Sequence, residues 1–326
     1  FRLGTKLGGV NGYAHWGLGA GENGLAVDAP QRQLSFVEVL QFEYPHYEVW
    51  YQLLNLGIPM TPTAGTDFPC GPWSVPGRER FYTKVEGKLT RRSWLEGVRR
   101  GRTFVTNGPL LEFHVNGAEL GDQLSLGHPQ EVTVSGKVSF DPSRDQIDEV
   151  TLVHNGVPSP VATKQLAPGV LQLSLRVRVD QSAWFALRAT GKKRGEAPLV
   201  AEGHSELAYD VAASFGAGVS MRSRERFASE HPVRPSEAHT GAIYVEVSGT
   251  ASVSRQPRSQ AVARVWLARL DALKVMLQDE NIKSVPLPLG TLTNSDGIDL
   301  KDLLANRREL LRRIALARAY YQELVD

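Results

Sequence analysis

The stretch LSFVEVLQFEYPHYEVWYQLLNLGIPMTPTAGTD, residues 34–67, decides the fold class. It opens on an apolar, partly β-branched run at 34–40, whose length fits a buried strand. Apolar residues then recur at helical spacing over 47–57, where Gly57 is a C-terminal stop. A second strand over 58–67 runs into a turn. The order strand, helix, strand predicts a βα unit with parallel strands.

The flanking sequence extends this pattern on both sides. A short strand is predicted over 10–15, ending at a histidine, and a helix over 90–101 with Thr90 as its N-cap. A further strand is predicted over 102–108. We therefore assign residues 1–109 to one region that is built from βα units.

The next region, residues 110–250, has the pattern of an all-β domain. The segment 169–180 alternates strictly between apolar and polar residues, which is typical of a half-buried strand. Short strands at this spacing predict an antiparallel β-sandwich-like domain. A segment at 215–240, with four arginines and many small residues, is interpreted as a long loop. The other strands are predicted over 131–140, 148–156, 184–190 and 242–249.

The last region, residues 251–326, is predicted to be a helical hairpin. One helix covers 258–278 and has a single apolar face, and the second runs from about 299 to the end with a basic outer face. A linker that contains proline and glycine separates them. We expect the two helices to pair with each other.

Composition excludes several classes of partner. The chain has 326 residues, of which 41% are hydrophobic and 22% are charged, and its formal net charge is +2. This balance argues against nucleic acid and against anionic membranes as partners. Cys70 is the single cysteine, so the fold contains no internal disulfide. The chain begins with Phe1, and we interpret it as a C-terminal fragment, which leaves the cellular compartment and the oligomeric state open.

Two residues stand out as metal ligands because each follows a predicted strand. Asp67 lies at the carboxyl end of the strand over 58–67, and His15 follows the strand over 10–15. Imidazole and carboxylate groups are common ligands of Zn, Mn and Fe. The alternatives are a turn aspartate that bonds its own backbone and a half-buried histidine with a structural partner. A catalytic zinc usually has three protein ligands, so two are too few.

A resemblance to a known family rests on the order of five motifs. The segments GYAHWG, FVEVLQ, WYQLLNLG followed by TAGTD, GRERFY, and WLEGVRRGRTFVTNGPLLEFHVNG occur in that order. Together they resemble the PHP-domain metallohydrolases, and their carbaryl-hydrolase-like branch in particular. That branch carries a β-rich region after its barrel and a late segment like AHTGAIYVEVSG. The resemblance covers most of the chain and is strongest from about 10 to 117.

The resemblance implies roles for particular residues. His15 matches a metal-binding histidine of the family, and Asp67 matches a metal-binding aspartate. Many members have a histidine two residues after this aspartate, where the present chain has Pro69. The earlier family motifs, a His-x-His and a later Glu and His, lie upstream of this sequence. The resemblance therefore implies the C-terminal half of a PHP-type βα barrel and part of a metal site.

Further candidates for the site lie close to these strands. Glu38 could orient a metal ligand, or it could have a structural partner at a strand end. Arg78 and Arg80 could hold an anionic substrate or stabilise charge in a transition state, or be solvated loop arginines. Cys70 is interpreted as a buried inert thiol, and His239 as a structural histidine.

The sequence thus predicts a metal-dependent hydrolase that acts on a small-molecule substrate. Divalent metal ions, Zn, Mn or Fe, would activate a water that attacks an ester, amide, carbamate or phosphoester bond. His15 and Asp67 would hold metal, and Arg78 and Glu38 would assist. The alternative is a non-catalytic scaffold, a degenerate barrel whose β-domain binds carbohydrate or a protein partner.

Overall fold

A computed structural model describes residues 25–41, 44–45, 47–66, 77–191, 235–279 and 305–326. Its helices are α1 (Leu25–Asp28), α2 (Tyr47–Asn55), α3 (Arg91–Arg99), α4 (Pro257–Gln278) and α5 (Arg307–Val325). Its strands are β1 (Phe36–Gln41), β2 (Tyr44–Pro45), β3 (Thr61–Gly65), β4 (Arg80–Thr83), β5 (Thr103–Thr106), β6 (Leu110–Val115), β7 (Gln123–Leu126), β8 (Gln130–Ser139), β9 (Glu149–His154), β10 (Val157–Pro160), β11 (Lys164–Ala167), β12 (Val170–Val179), β13 (Ala183–Thr190), β14 (Glu237–Thr240) and β15 (Ile243–Val247).

The chain divides into two compact units. One holds the described residues of Phe1–Ser35, Tyr51–Pro59 and Ala251–Asp326, and the other holds those of Phe36–Trp50 and Met60–Thr250. The first unit is helical and the second contains every described strand.

The strand–helix–strand prediction over 34–67 is confirmed. β1 and β3 pair in parallel, with Phe36 opposite Thr61 and Gln41 opposite Gly65. Helix α2 connects them and ends before Gly57, whose φ of 75° lies in the left-handed region that glycine tolerates. The short β2 pairs antiparallel with β1 on its other side, which completes a three-stranded sheet.

The strand predicted over 102–108 exists as β5, but its expected parallel pairing is wrong. β5 pairs antiparallel with β4 and with β14. The reason is that α3 makes only a short excursion. Thr90 caps α3 in a reciprocal pair of hydrogen bonds with Ser93, and Gly101, with a φ of 72°, turns the chain back along β4. The described strands form three open sheets, and none closes into a barrel.

A region of two packed sheets follows, and the strand predicted from the alternation over 169–180 lies in its antiparallel layer, whereas the other layer contains the parallel pair β15 and β7. β12 and β8 pair over ten residues each, in a four-stranded sheet of order β11-β12-β8-β6. This sheet shares one apolar core with a larger, eight-stranded sheet. Inward residues come from both layers, among them Phe113, Val134, Leu173, Phe185, Leu187 and Ile243.

The eight-stranded sheet draws on both sides of residue 109. Its path runs β10-β9-β13-β14-β5-β4, with β15 and β7 attached beside β13. The loop predicted over 215–240 is wrong at its C-terminal end, where Glu237–Thr240 forms β14 between β13 and β5. The rest of that loop lies outside the described residues, apart from Pro235 and Ser236.

The C-terminal helices pair as predicted. The rings of Trp266 on α4 and Tyr321 on α5 lie 5.4 Å apart, and both side chains are fully buried. Arg318 forms an ion pair of 2.5 Å with Asp271 across the same pair of helices. The Tyr321 hydroxyl also donates to the Ala26 carbonyl of α1 at 3.1 Å. The apolar face that sequence periodicity indicated is therefore the one that packs.

Candidate functional site at the carboxyl edge of the parallel strands

The carboxyl ends of three strands point in one direction in the sheet-rich unit. β1 and β3 end together, since Gln41 and Gly65 are register partners. β5 lies beside β3, because the Thr103 hydroxyl donates to the Pro62 carbonyl at 2.8 Å. A Cβ on Gly101, two residues before Thr103, would lie 3.8 Å from the hydroxyl of Thr61, the residue before Pro62. β5 therefore runs in the same direction as β3. We call the end formed by Gln41, Gly65 and Thr106 the carboxyl edge.

Glu38 reaches towards this edge from β1. Its Oε1 atom lies where the Cβ of a larger residue at position 65 would stand, so the absence of a side chain on Gly65 gives the carboxylate its place. The register of β1 against β3 shifts between Glu38 and Leu40, which marks a bulge beside this contact. Glu38 is exposed to solvent. It therefore presents a carboxylate at the end of the parallel pair.

The two predicted metal ligands, His15 and Asp67, lie outside the described residues, as do Pro69 and Cys70. Asp67 follows the end of β3 by two positions in the sequence. Among the residues that the structure does describe, no three His, Cys, Asp or Glu side chains come together as a metal site. The carboxylate of Glu38 is a type of ligand that divalent ions accept.

Arg78 and Arg80 have different surroundings. The Arg78 Nε lies 3.9 Å from Oε1 of Glu79, whose side chain is only 3% exposed. Arg80 donates hydrogen bonds to two backbone carbonyl groups. Its Nη1 donates to the Gly77 carbonyl at 3.1 Å, and its Nη2 donates to the Gly108 carbonyl at 3.4 Å. Arg80 thus ties the start of β4 to the turn after β5. Arg78 is the arginine whose role in substrate binding stays a prediction.

An ion pair between the half-buried Arg188 and the buried Glu237, which the sequence did not reveal, lies close to the end of β5. The Nε of Arg188 donates to Oε1 of Glu237 at 2.6 Å, and its Nη2 donates to Oε2 at 3.1 Å. The Thr190 hydroxyl donates to the same carboxylate at 3.2 Å. Burial raises the pKa of Glu237, while the Arg188 guanidinium and the Tyr47 hydroxyl oppose that rise.

His239 lies beside this pair and is fully buried. Its ring packs 4.4 Å from the ring of Tyr47 and 5.2 Å from that of Trp50, between centroids. Its Nδ1 lies 2.8 Å from the Thr240 carbonyl oxygen. Burial lowers the pKa of His239 to about 3, so the ring is neutral at physiological pH. This environment is the one expected of a structural histidine.

Asn107 connects the end of β5 to β14. Its amide N–H donates to the Glu237 carbonyl at 3.0 Å, and its Oδ1 accepts from the Glu237 N–H at 2.8 Å. Its Nδ2 donates to the Pro235 carbonyl at 3.0 Å. Asn107 is fully buried, and its side chain continues the β5–β14 ladder by one step.

One sequence signal for these residues was available. In the tetrapeptide EAHT, the period of two places Glu237 and His239 on the same face of a strand. The four arginines and many small residues over 215–240 indicated a loop instead. Glu237 and His239 can be buried because polar residues of β13 stand opposite them. Thr190 is the cross-strand partner of Glu237, and Arg188 is that of His239.

Comparisons with known proteins identify no relative. No protein-family model, no curated protein and no solved structure matches the chain. Within the described part of the chain, no helix is both long enough and apolar enough to cross a membrane.

Proposed function

We propose that the chain is part of a metal-dependent hydrolase of the PHP type, with its reaction centre at the carboxyl edge. The observation that carries the proposal is the placement of Glu38 against Gly65, where β1 and β3 end side by side. Active sites of βα folds gather at this end of parallel strands, because the loops that follow the strands converge there. Asp67 follows the last residue of β3 by two positions in the sequence.

The proposed substrates carry an ester, amide, carbamate or phosphoester bond. A divalent ion at this edge would lower the pKa of a water and polarise the oxygen under attack. His15 and Asp67 are the proposed metal ligands. Glu38 would orient a ligand or accept a hydrogen bond from one, since exposed carboxylates near metal sites commonly do so. Arg78, held beside the buried Glu79, would face developing negative charge.

A metal and activity assay tests the proposal in the full-length protein. The metal content of the wild type and of Asp67→Asn is measured by mass spectrometry. Hydrolysis is followed with p-nitrophenyl acetate, an aryl N-methylcarbamate and bis-p-nitrophenyl phosphate. We expect bound divalent metal in the wild type and at least about a tenfold loss of both metal and turnover in the variant. Asp180→Asn, an exposed aspartate beside Arg178, is the matched control.

A second function, a non-catalytic scaffold or binding module, is favoured by one observation. Pro69 stands where many PHP proteins have a histidine, so one ligand of the family pattern is absent from the sequence. The same assay separates the two functions. A wild type without bound metal and without probe hydrolysis would contradict the hydrolase and support the scaffold, whereas equal metal content and equal activity in Asp67→Asn would contradict the role of Asp67 as a metal ligand.

A further inference from the structure

Glu237 connects three segments of the sheet-rich unit. Its carboxylate accepts hydrogen bonds from Arg188 and Thr190 on β13. Its backbone exchanges two hydrogen bonds with Asn107, directly after β5. The carboxylate and the backbone of Glu237 together connect β13 to the residue that follows β5 at the carboxyl edge.

Arg188 extends this connection to the start of α2. The guanidinium carbon of Arg188 lies 5.2 Å from the centroid of the Tyr47 ring, within the range of a cation–π contact. Tyr47 is the first residue of α2, which follows β1 after a short connection. The Tyr47 ring also packs against the ring of His239. The Tyr47 ring is thus held by side chains from two neighbouring strands.

The first turn of α2 is fixed at a second point. The Trp50 indole Nε1 donates to the Met60 carbonyl at 2.7 Å, one residue before β3 begins. The Trp50 ring also lies 6.1 Å from that of Trp184 on β13. The same helical turn therefore contacts both β13 and the residue that precedes β3.

Stability alone gives a weak reason for this ion pair, in which Glu237 is buried and Arg188 is half-buried. Desolvating two charges offsets most of their attraction, and apolar replacement of both partners is often neutral or stabilising. A bidentate guanidinium–carboxylate pair does fix orientation, because two parallel hydrogen bonds allow only one geometry. The pair here also contacts Tyr47 and Asn107, which follow the carboxyl ends of β1 and β5 in the sequence.

We propose that Arg188 and Glu237 are positioning residues for the carboxyl edge, which set the end of β5 through Asn107 and the start of α2 through Tyr47. They do not touch substrate. An effect of Arg188 and Glu237 on catalysis rests on the function proposed above. Their effect on the structure of the carboxyl edge does not depend on that function.

The test is the double variant Arg188→Met/Glu237→Leu, which removes both charges and retains side-chain volume. The control is Glu112→Leu/Lys137→Met, an ion pair across β6 and β8 on the exposed side of the other sheet. Three quantities are measured: the thermal midpoint, amide hydrogen exchange in peptides covering 36–41, 103–108 and 170–179, and metal content with probe hydrolysis. If the double variant does not fold, Glu237→Gln, which keeps the shape of the side chain, is measured in the same way.

We expect exchange to accelerate by about tenfold or more in 36–41 and 103–108, since hydrogen bonds to charged groups are lost. Exchange in 170–179, which lies in the other sheet, should remain unchanged, as should the control variant throughout. Unchanged exchange at the edge overturns the proposal. So does equal acceleration in all three peptides, which is the signature of a general loss of stability.

The failure of this proposal is distinguishable from failure of the hydrolase. A wild-type protein without bound metal or probe hydrolysis contradicts the hydrolase, and the exchange pattern then decides positioning by itself. If the wild type is active, we expect kcat to fall in the double variant at an unchanged thermal midpoint. Full activity in a variant with a loosened edge would contradict the catalytic part of the positioning role.

Discussion

The Oε1 atom of Glu38 occupies the place where a side chain on Gly65 would begin. These two residues belong to neighbouring parallel strands, and Gly65 is the last residue of its strand. The glycine therefore has a steric role, because it makes room for a carboxylate at the end of the strand pair. Its role needs no unusual backbone conformation.

Gly65→Ala should displace Glu38 without unfolding the protein. The obstructing atom is the far end of an exposed, flexible side chain, so we expect the free energy of unfolding to change by less than about 0.5 kcal/mol. If Glu38 supports the proposed metal site, metal content and probe turnover should both fall, as in Glu38→Gln. Gly127→Ala is the control, because nothing lies within 4 Å of a Cβ built there. Normal turnover in Gly65→Ala would show that the position of Glu38 is immaterial.

Gly241→Ala should be destabilising for a different reason. A Cβ at this position would lie 2.5 Å from the Gly101 carbonyl oxygen and 2.9 Å from that of Thr103. Both obstacles are backbone atoms, and the Gly241 N–H itself donates to the Thr103 carbonyl at 2.7 Å. We expect a loss of about 1–3 kcal/mol, measured from urea unfolding curves. A loss no larger than that of Gly127→Ala would contradict the close approach of these segments.

Regular periodicity explains which elements could be predicted. The alternation over 169–180 gave β12, and the apolar face around Trp266 gave α4, because burial on one side follows directly from the pattern. β14 was missed, since Glu237 and His239 become acceptable inside a sheet only when Arg188 and Asn107, distant in the sequence, meet them.

The direction of the strands and the geometry of the site were harder to predict from the sequence than the helices and strands themselves. The antiparallel pairing of β4 and β5 depends on the chain reversal at Gly101, which a strand–helix–strand pattern does not disclose. Glu38 was recognisable as a carboxylate on a strand. Its contact with Gly65 depends on the register of β1 against β3, which only the folded chain reveals.

His239 should make the protein sensitive to acid. Burial lowers its pKa from 6.5 to about 3, so between these values the unfolded chain binds a proton that the folded chain does not. Stability is therefore present above pH 6.5 and is lost as the pH falls towards 3, by up to about 1.4 kcal/mol per pH unit. Urea midpoints of the wild type and of His239→Leu, measured from pH 7 to pH 4, should converge as the pH falls.

The neighbouring Glu237 acts in the opposite direction. Burial raises its pKa above 4.5, so its contribution to stability is present below pH 4.5 and is lost as the pH rises through the folded value. Both the wild type and His239→Leu retain Glu237, so the difference between their urea midpoints reports the contribution of the histidine. His128→Gln, at an exposed position, is the control. Parallel pH profiles for wild type and His239→Leu would contradict the burial of an uncharged imidazole.

Asn107→Asp should be costly although it replaces one atom. The Nδ2 of Asn107 donates to the Pro235 carbonyl at 3.0 Å, and the substitution sets an acceptor against that acceptor in a fully buried place. We expect a loss of about 2–4 kcal/mol from an unpaired buried carbonyl and a desolvated carboxyl. Gln146→Glu makes the same chemical change at an exposed amide and should cost less than about 0.5 kcal/mol. Because a protonated carboxyl can donate again, the Asn107→Asp protein should regain stability relative to the wild type as the pH falls, and a constant difference would contradict this arrangement.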